Sequence, residues 1–378
     1  MNSINPKAGK KVHSFQNFLS QLNRIDDTEK EGYIQAYLKD QLLQDNIPII
    51  DERSCTFIYY GSNNKVAIEG DFTGWDSEEM TKVQNTDLWF FTKTFPNDAR
   101  LDYLITIDGI STLDFGNRRL VPSGFGYRSY IEMPQYKPSK SIEFNDHIPH
   151  GTVETIENFS SAIFNNTREI KIYLPPNYNP SIAYPCLFIT DGLEYLQFAQ
   201  FNNVLDNLLY NKKIRELLAI FIPPINRNME YFIEKEKFCN FLLKEVKPFI
   251  DKKYAIINNP SECGLMGASL GGLISVFTSI NNEDTLGLIA SQSGYFPEDF
   301  MGIFSKKVPN VKFYFDVGVF ETSIGSNSNF LQMNREMKKI VDAKGFNYYY
   351  QEVNEGHSWG SWRARLKDIL MYLFPMEE

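Results

Sequence analysis

Histidine is scarce in this chain: its 378 residues include only His13, His147, His150 and His357. Cysteine is as rare, with Cys55, Cys186, Cys239 and Cys263 widely spaced, mostly among apolar neighbours and never as C-x-x-C. That spacing excludes a disulfide framework and a cysteine-built metal or redox motif, so all four read as reduced core residues. No stretch approaches the ~20 consecutive apolar residues of a membrane span. Positive charge is in deficit, and a formal net charge of −9 argues against nucleic acid or an anionic membrane as the main partner. The first eleven residues start basic but lead into no hydrophobic core. No secretory signal is read there, and a cytoplasmic location is the expectation.

The closely spaced His147 and His150 lie in Asn145-Asp146-His147-Ile148-Pro149-His150, with no cysteine or third histidine nearby. A structural zinc site needs four ligands, so this proline-containing stretch reads as a linker. No metal and no organic cofactor are expected.

Aromatic residues, at 15% of the chain, are plentiful. The most informative stretch is Gly267-Ala268-Ser269-Leu270-Gly271-Gly272, preceded by Cys263-Gly264-Leu265-Met266 and followed by Leu273-Ile274-Ser275-Val276-Phe277. It has the order strand, sharp turn, helix. Glycines on both sides of Ser269 let strand and helix approach closely while the serine hydroxyl stays exposed, as in a nucleophile elbow.

A serine hydroxyl needs a base, and in this topology the order along the chain is serine, acid, histidine. Only His357 follows Ser269. It lies in a glycine-containing loop between the β-rich run at 348–353 and a helical pattern. The acid is expected after the apolar and aromatic strand at 311–317, where Glu321 is the candidate. Asp316 is the rival, but it lies within the strand itself; Asp342 and Glu355 are further alternatives. The oxyanion hole needs two backbone N–H groups, expected from Leu270 and from Gly192 or Leu193 after the strand at 185–190.

Helical periodicity over residues 14–43 places Phe15, Phe18, Leu19 and Leu22 on one face. Short strands then recur about every ten positions, the pattern of a β-sandwich. Prolines without periodicity mark a linker, and beyond it strands alternate with helices, implying a mostly parallel sheet covered by helices. The expected fold class is α/β: an α/β-hydrolase preceded by a small all-β immunoglobulin-like sandwich and a short helical arm. The boundaries read are 1–50 for the arm, 51–135 for the sandwich, 136–158 for the linker and 159–378 for the catalytic domain.

The residues from about 160 onward resemble the enterochelin esterase and esterase D group of α/β-hydrolases. The resemblance rests on the Leu-Pro-Pro-Asn-Tyr turn at 174–178, Asp191-Gly192, the 267–272 turn, Ser291-Gln292-Ser293-Gly294, Gly356-His357 and Trp362-Arg363. It implies that Arg227, in Asn226-Arg227-Asn228-Met229-Glu230, lies near the substrate end of the sheet; an Arg227–Glu230 structural pair is the alternative. Asp191 and Trp359 are further candidates for substrate contact. Many relatives carry aspartate at the acid position, whereas this chain offers Glu321. Residues 57–134 resemble the early-set sandwich of glycogen-branching enzymes and enterochelin esterases. That resemblance makes Trp75 and Trp89 candidate glycan contacts.

The function expected is hydrolysis of a small-molecule carboxylic ester through a serine triad and an acyl-enzyme, with a siderophore trilactone as the substrate the resemblance implies. The alternatives are an acetyl or feruloyl esterase acting on carbohydrate, and a non-catalytic glycan-binding protein on a hydrolase fold.

Overall fold

The computed structural model describes residues 15–302, 310–325 and 328–376. The basic N-terminal residues, with His13, lie outside them. The chain forms two compact units. One holds residues up to Ala99, Tyr103–Leu120 and Ser129–Tyr136; the other holds Arg100–Asp102, Val121–Arg128 and Lys137 onward.

In the first unit, helices Phe15–Leu22 and Asp27–Leu43 bury Phe15, Phe18, Leu22 and Ile34 against Ile49, Ile58 and Leu88. Phe15, Phe18 and Leu22 recur at helical spacing, so burying one stripe suffices to dock this short helix. The sheets beside them are built from short antiparallel strands, among them Ser54–Tyr60, Leu88–Thr94 and Val66–Gly70. The ring of Phe57 meets Tyr103 edge-on at 4.7 Å and stacks on Phe72 at 5.2 Å, filling the space between inner faces. Trp89 is a core residue, 3% exposed, and its Nε1 donates to the Gly61 carbonyl. It therefore presents no stacking face for a glycan. Trp75 is half-buried and donates its Nε1 to Asp71.

The second unit is organised by an eight-stranded sheet. Its order is Thr152–Ser161, Asn166–Leu174, Leu218–Ile222, Cys186–Thr190, Cys263–Ala268, Leu288–Gln292, Lys312–Gly318 and Asn347–Val353. The first two contacts are antiparallel and the remaining five parallel, so the sheet is mixed but mostly parallel. Alternate residues enter opposite layers: Cys186, Phe188, Leu218, Ile220 and Leu265 one, Leu187, Ile189, Ala219, Phe221 and Met266 the other. A strand buried on both faces reads as an unbroken apolar run, as Leu218–Ile222 does. Thr152–Ser161, which begins inside the stretch read as linker and ends in the segment read as catalytic domain, is the edge strand of this sheet. Its polar residues are largely solvent-facing, so it carries no apolar signature.

Helices Lys235–Phe241 and Lys247–Lys253 are joined by a π-helical turn at Leu242–Val246. Among the described residues, no helix is long and apolar enough to cross a membrane. The parallel strands all end on one edge, and the loops leaving that edge carry the candidate site.

Candidate active site

Strand Cys263–Ala268 is wholly buried, and helix Leu270–Asn281 begins one residue after Ser269. The serine joins them with φ 59° and ψ −119°, a conformation L-residues avoid and surrounding structure must hold in place. Sheet and helix can approach because position 267 is glycine: a Cβ there would lie 2.0 Å from Thr190 Oγ1 and 2.5 Å from the Gly271 carbonyl carbon. The backbone N–H of Ser269 donates to the Gln292 carbonyl at 2.9 Å, and its own carbonyl accepts from Leu273 and Tyr295 at 3.1 Å.

Strand Asn347–Val353 delivers His357 to the same edge, and Ser358 caps helix Trp359–Leu373 immediately beyond it. The imidazole packs on Phe330, ring centroids 4.5 Å apart, and meets Trp362 edge-on at 4.9 Å. Its Nδ1 lies 2.6 Å from Glu321 Oε2. Glu321 is fully buried just past strand Lys312–Gly318; its other oxygen accepts from the Gly318 N–H at 2.7 Å and from Ser293 Oγ at 2.6 Å. Trp362 Nε1 donates in turn to Ser293 Oγ at 2.9 Å. The carboxylate is thus held at both oxygens, leaving Nε2 as the ring nitrogen available to a hydroxyl.

Asp316 sits elsewhere in this charge pattern. Fully buried in its strand, it is paired with Arg365 Nε at 3.0 Å, while Arg365 Nη1 donates to Glu355 at 2.8 Å. Burial pushes both carboxyls above their ordinary range, and the guanidinium opposes that rise. Asp342 is an exposed partner of Lys338.

Ser269 and His357 line one cavity of about 280 Å³ together with Asp191, Glu194, Arg227 and Trp359. Phe125, 95% exposed, and Arg128 also line it. Helix Gly192–Gln197 starts on the same cavity as Ser269, with Asp191 left-handed at φ 50°. Gly192 is required there, since a Cβ would lie 2.5 Å from the Ile222 nitrogen. Leu270 and Gly192 each stand first in a helix and Leu193 second, positions whose N–H groups have no partner within the helix.

The sequence-level pairing of Arg227 with Glu230 does not form. Glu230 instead accepts from buried Arg168 at 2.7 and 3.3 Å, and Arg227 turns to Asp191. Two residues five and four positions before Glu230 settle this: the Ile225 and Asn226 N–H groups also donate to its carboxylate, fixing it away from Arg227. His150 Nδ1 lies 2.9 Å from Asp206, and the His147 ring is exposed beside Asp146. Among the described residues, no group of three or more His, Cys, Asp or Glu is arranged around a metal position.

Sequence reading assigned no role to Ser293, Trp362, Phe330 or Glu194. Ser293 and Trp362 stood within recognisable motifs, but nothing in the chain order shows that both converge on Glu321. Glu194 has one buried oxygen without a hydrogen-bond partner, and burial raises its carboxyl above the ordinary range.

A mixed sheet covered by helices, with serine, carboxylate and histidine carried past the ends of three of its parallel strands, defines an α/β-hydrolase. The model of the esterase family matches residues 161–373, more than half of the chain, and the chain belongs to that family. It is a carboxylic ester hydrolase, which sets aside the expectation of a non-catalytic glycan-binding protein. Its relatives include YjcH of Bacillus subtilis (strain 168), 26% identical over 58% of this chain and 97% of the relative. An endo-1,4-beta-xylanase/feruloyl esterase of Xylanibacter ruminicola is 24% identical over 78% of this chain and 41% of that protein. The ferric enterobactin esterase of Salmonella typhimurium superposes with a TM-score of 0.72 at 16% identity, covering 85% of this chain and 93% of that one. A CE1 ferulic acid esterase from Anaeromyces mucronatus gives 0.53 at 18% identity, covering 62% and 95%. At these identities the solved structures establish a shared fold.

Proposed function

We propose that Ser269, His357 and Glu321 form the catalytic triad of a serine esterase working through an acyl-enzyme. The observation that carries the reading is the 2.6 Å contact between His357 Nδ1 and Glu321, made by a histidine that shares a cavity with Ser269. Glu321 orients the ring and stabilises its positive charge, and His357 Nε2 takes the proton as Ser269 Oγ attacks the ester carbonyl. The carbonyl oxygen becomes an oxyanion and is met by the Leu270 N–H and by an N–H of Gly192 or Leu193. Collapse breaks the ester C–O bond, with His357 returning the proton to the leaving alkoxide. Water, deprotonated by the same histidine, then attacks the acyl-enzyme, releases the acid and restores Ser269.

For the substrate, we infer an enterobactin-type ester, a lactone carrying aromatic acyl groups. Trp359 and Phe125 on the cavity wall suit rings, and the likeness to the ferric enterobactin esterase extends over nearly the whole of both chains. The second reading, a feruloyl ester on carbohydrate, is favoured by the feruloyl esterase relative and fits the same aromatic wall. Hydrolysis of iron-loaded catecholate trilactone, set against a feruloylated oligosaccharide, tests the choice. At least tenfold higher kcat/KM on the trilactone supports the first reading, and the reverse supports the second. Loss of both activities in a folded Ser269→Ala variant is the result the triad requires.

A further inference from the structure

The two N–H groups assigned to the oxyanion come from different loops, and one guanidinium joins the residues behind them. Arg227 Nε and Nη2 each lie 2.8 Å from an oxygen of Asp191, the residue before Gly192. The same Nη2 donates at 3.0 Å to the carbonyl of Ala268, the residue before Ser269. Sheet pairing between the two parent strands runs from Cys186↔Cys263 to Ile189↔Met266 and stops short of both loops. Beyond the ladder, Thr190 Oγ1 donating to the Met266 carbonyl and the Arg227 fork cross-link them. Both loops also hold strained backbone, with Asp191 at φ 50° and Ser269 at φ 59°. Conformations of that kind persist only where neighbours hold them. A bidentate guanidinium–carboxylate pair supplies direction as well as attraction. The Asp191 side chain is 3% exposed and Arg227 36%, so the carboxylate is committed to its partner rather than presented to a ligand.

We propose that Arg227, through Asp191, is a positioning residue that holds the two halves of the oxyanion hole at their working separation. It is not the recognition site for a charged substrate. The inference rests on the serine-esterase reading above.

The test compares wild type with Arg227→Ala, Arg227→Lys and Asp191→Asn. The substrates are a neutral ester, p-nitrophenyl acetate, and an anionic one, p-nitrophenyl hemisuccinate. An aryl trifluoromethyl ketone, whose serine adduct places an oxyanion in the hole, reads the hole directly, and thermal melting reads folding. For Arg227→Ala the expected result is a kcat lower by about 10²-fold on both esters, the scale of losing one oxyanion donor. KM should stay within threefold, and the ketone should bind weaker by a factor similar to the loss in kcat. Asp191→Asn keeps the shape but not the charge and should lose about tenfold, and Arg227→Lys should fall between wild type and Arg227→Ala. A rise in KM confined to the anionic ester, with kcat and ketone affinity unchanged, overturns the proposal in favour of substrate recognition. A lower melting temperature with unchanged ketone affinity in the folded fraction overturns it in favour of a purely structural pair. If wild type hydrolyses neither ester and does not bind the ketone, the serine-triad reading itself fails; an active wild type matched by Arg227→Ala rejects this proposal alone.

Discussion

Glu321 and His357 are 36 residues apart in sequence and 2.6 Å apart in space, delivered by neighbouring parallel strands. The same strand that leads to Glu321 carries Asp316, turned instead to Arg365. Two buried carboxylates five residues apart therefore have different expected losses. Glu321→Gln should lower kcat by about 10³- to 10⁴-fold with little change in melting, because an amide cannot hold the required tautomer and charge. Asp316→Asn should keep kcat within a few-fold in the folded fraction and lose about 3 kcal/mol of stability in urea, by leaving Arg365 short of a partner. Interchanged effects contradict the assignment of the acid.

Ser293 is not among the residues lining the cavity, yet it donates to the Glu321 oxygen that His357 does not use. Ser293→Ala should lower kcat about tenfold at unchanged KM. Combined with Glu321→Gln it should add almost nothing, since residues acting as a unit are non-additive. Steady-state kinetics of the two single variants and the double variant decide the matter.

Gly267 has no room for a methyl group. Gly267→Ala must push against Thr190 Oγ1 and the Gly271 backbone, and should cost about 1–3 kcal/mol in urea denaturation. Adding Thr190→Ala should recover only part of the loss, because the clash with the Gly271 backbone remains. Full recovery would show that the side-chain contact alone demands the glycine.

Burial, with Asp191 adding to it, raises the carboxyl of half-buried Glu194 above its ordinary 4.5. A raised native value means the neutral form is favoured in the folded protein, and stability from this group is lost as pH rises through that value. Across the same range a negative charge appears in the cavity. The kcat/KM for an anionic ester, relative to a neutral one, should therefore fall as pH rises through that raised value. Glu194→Gln should flatten that ratio; an unchanged ratio profile in the variant rejects the effect.

What was legible in the sequence follows from where each signal is stored. The 267–272 turn writes its geometry in consecutive residues, since close approach demands glycine at fixed positions on either side of Ser269. Strands such as Leu218–Ile222 are buried on both faces, and their apolar runs need no partner to be recognised. The edge strand Thr152–Ser161 is largely polar and solvent-facing, so its first residues read as linker. Arg227 and Glu230 stand three apart, a spacing that makes neighbours on a helix, yet each is claimed by a residue distant in sequence. Ser293 and Trp362 share that character: their role lies in a three-dimensional convergence on Glu321 that residue order does not record.

Rapid-quench kinetics with a chromogenic ester, followed by peptide mass analysis, tests the nucleophile most directly. A burst of alcohol approaching one equivalent per protein, with the acyl mass located on the peptide containing Ser269, is the predicted result. Ser269→Ala should show no burst and a turnover lower by about 10⁴- to 10⁶-fold. Acylation of a different residue, or undiminished turnover in the folded Ser269→Ala variant, would contradict the account.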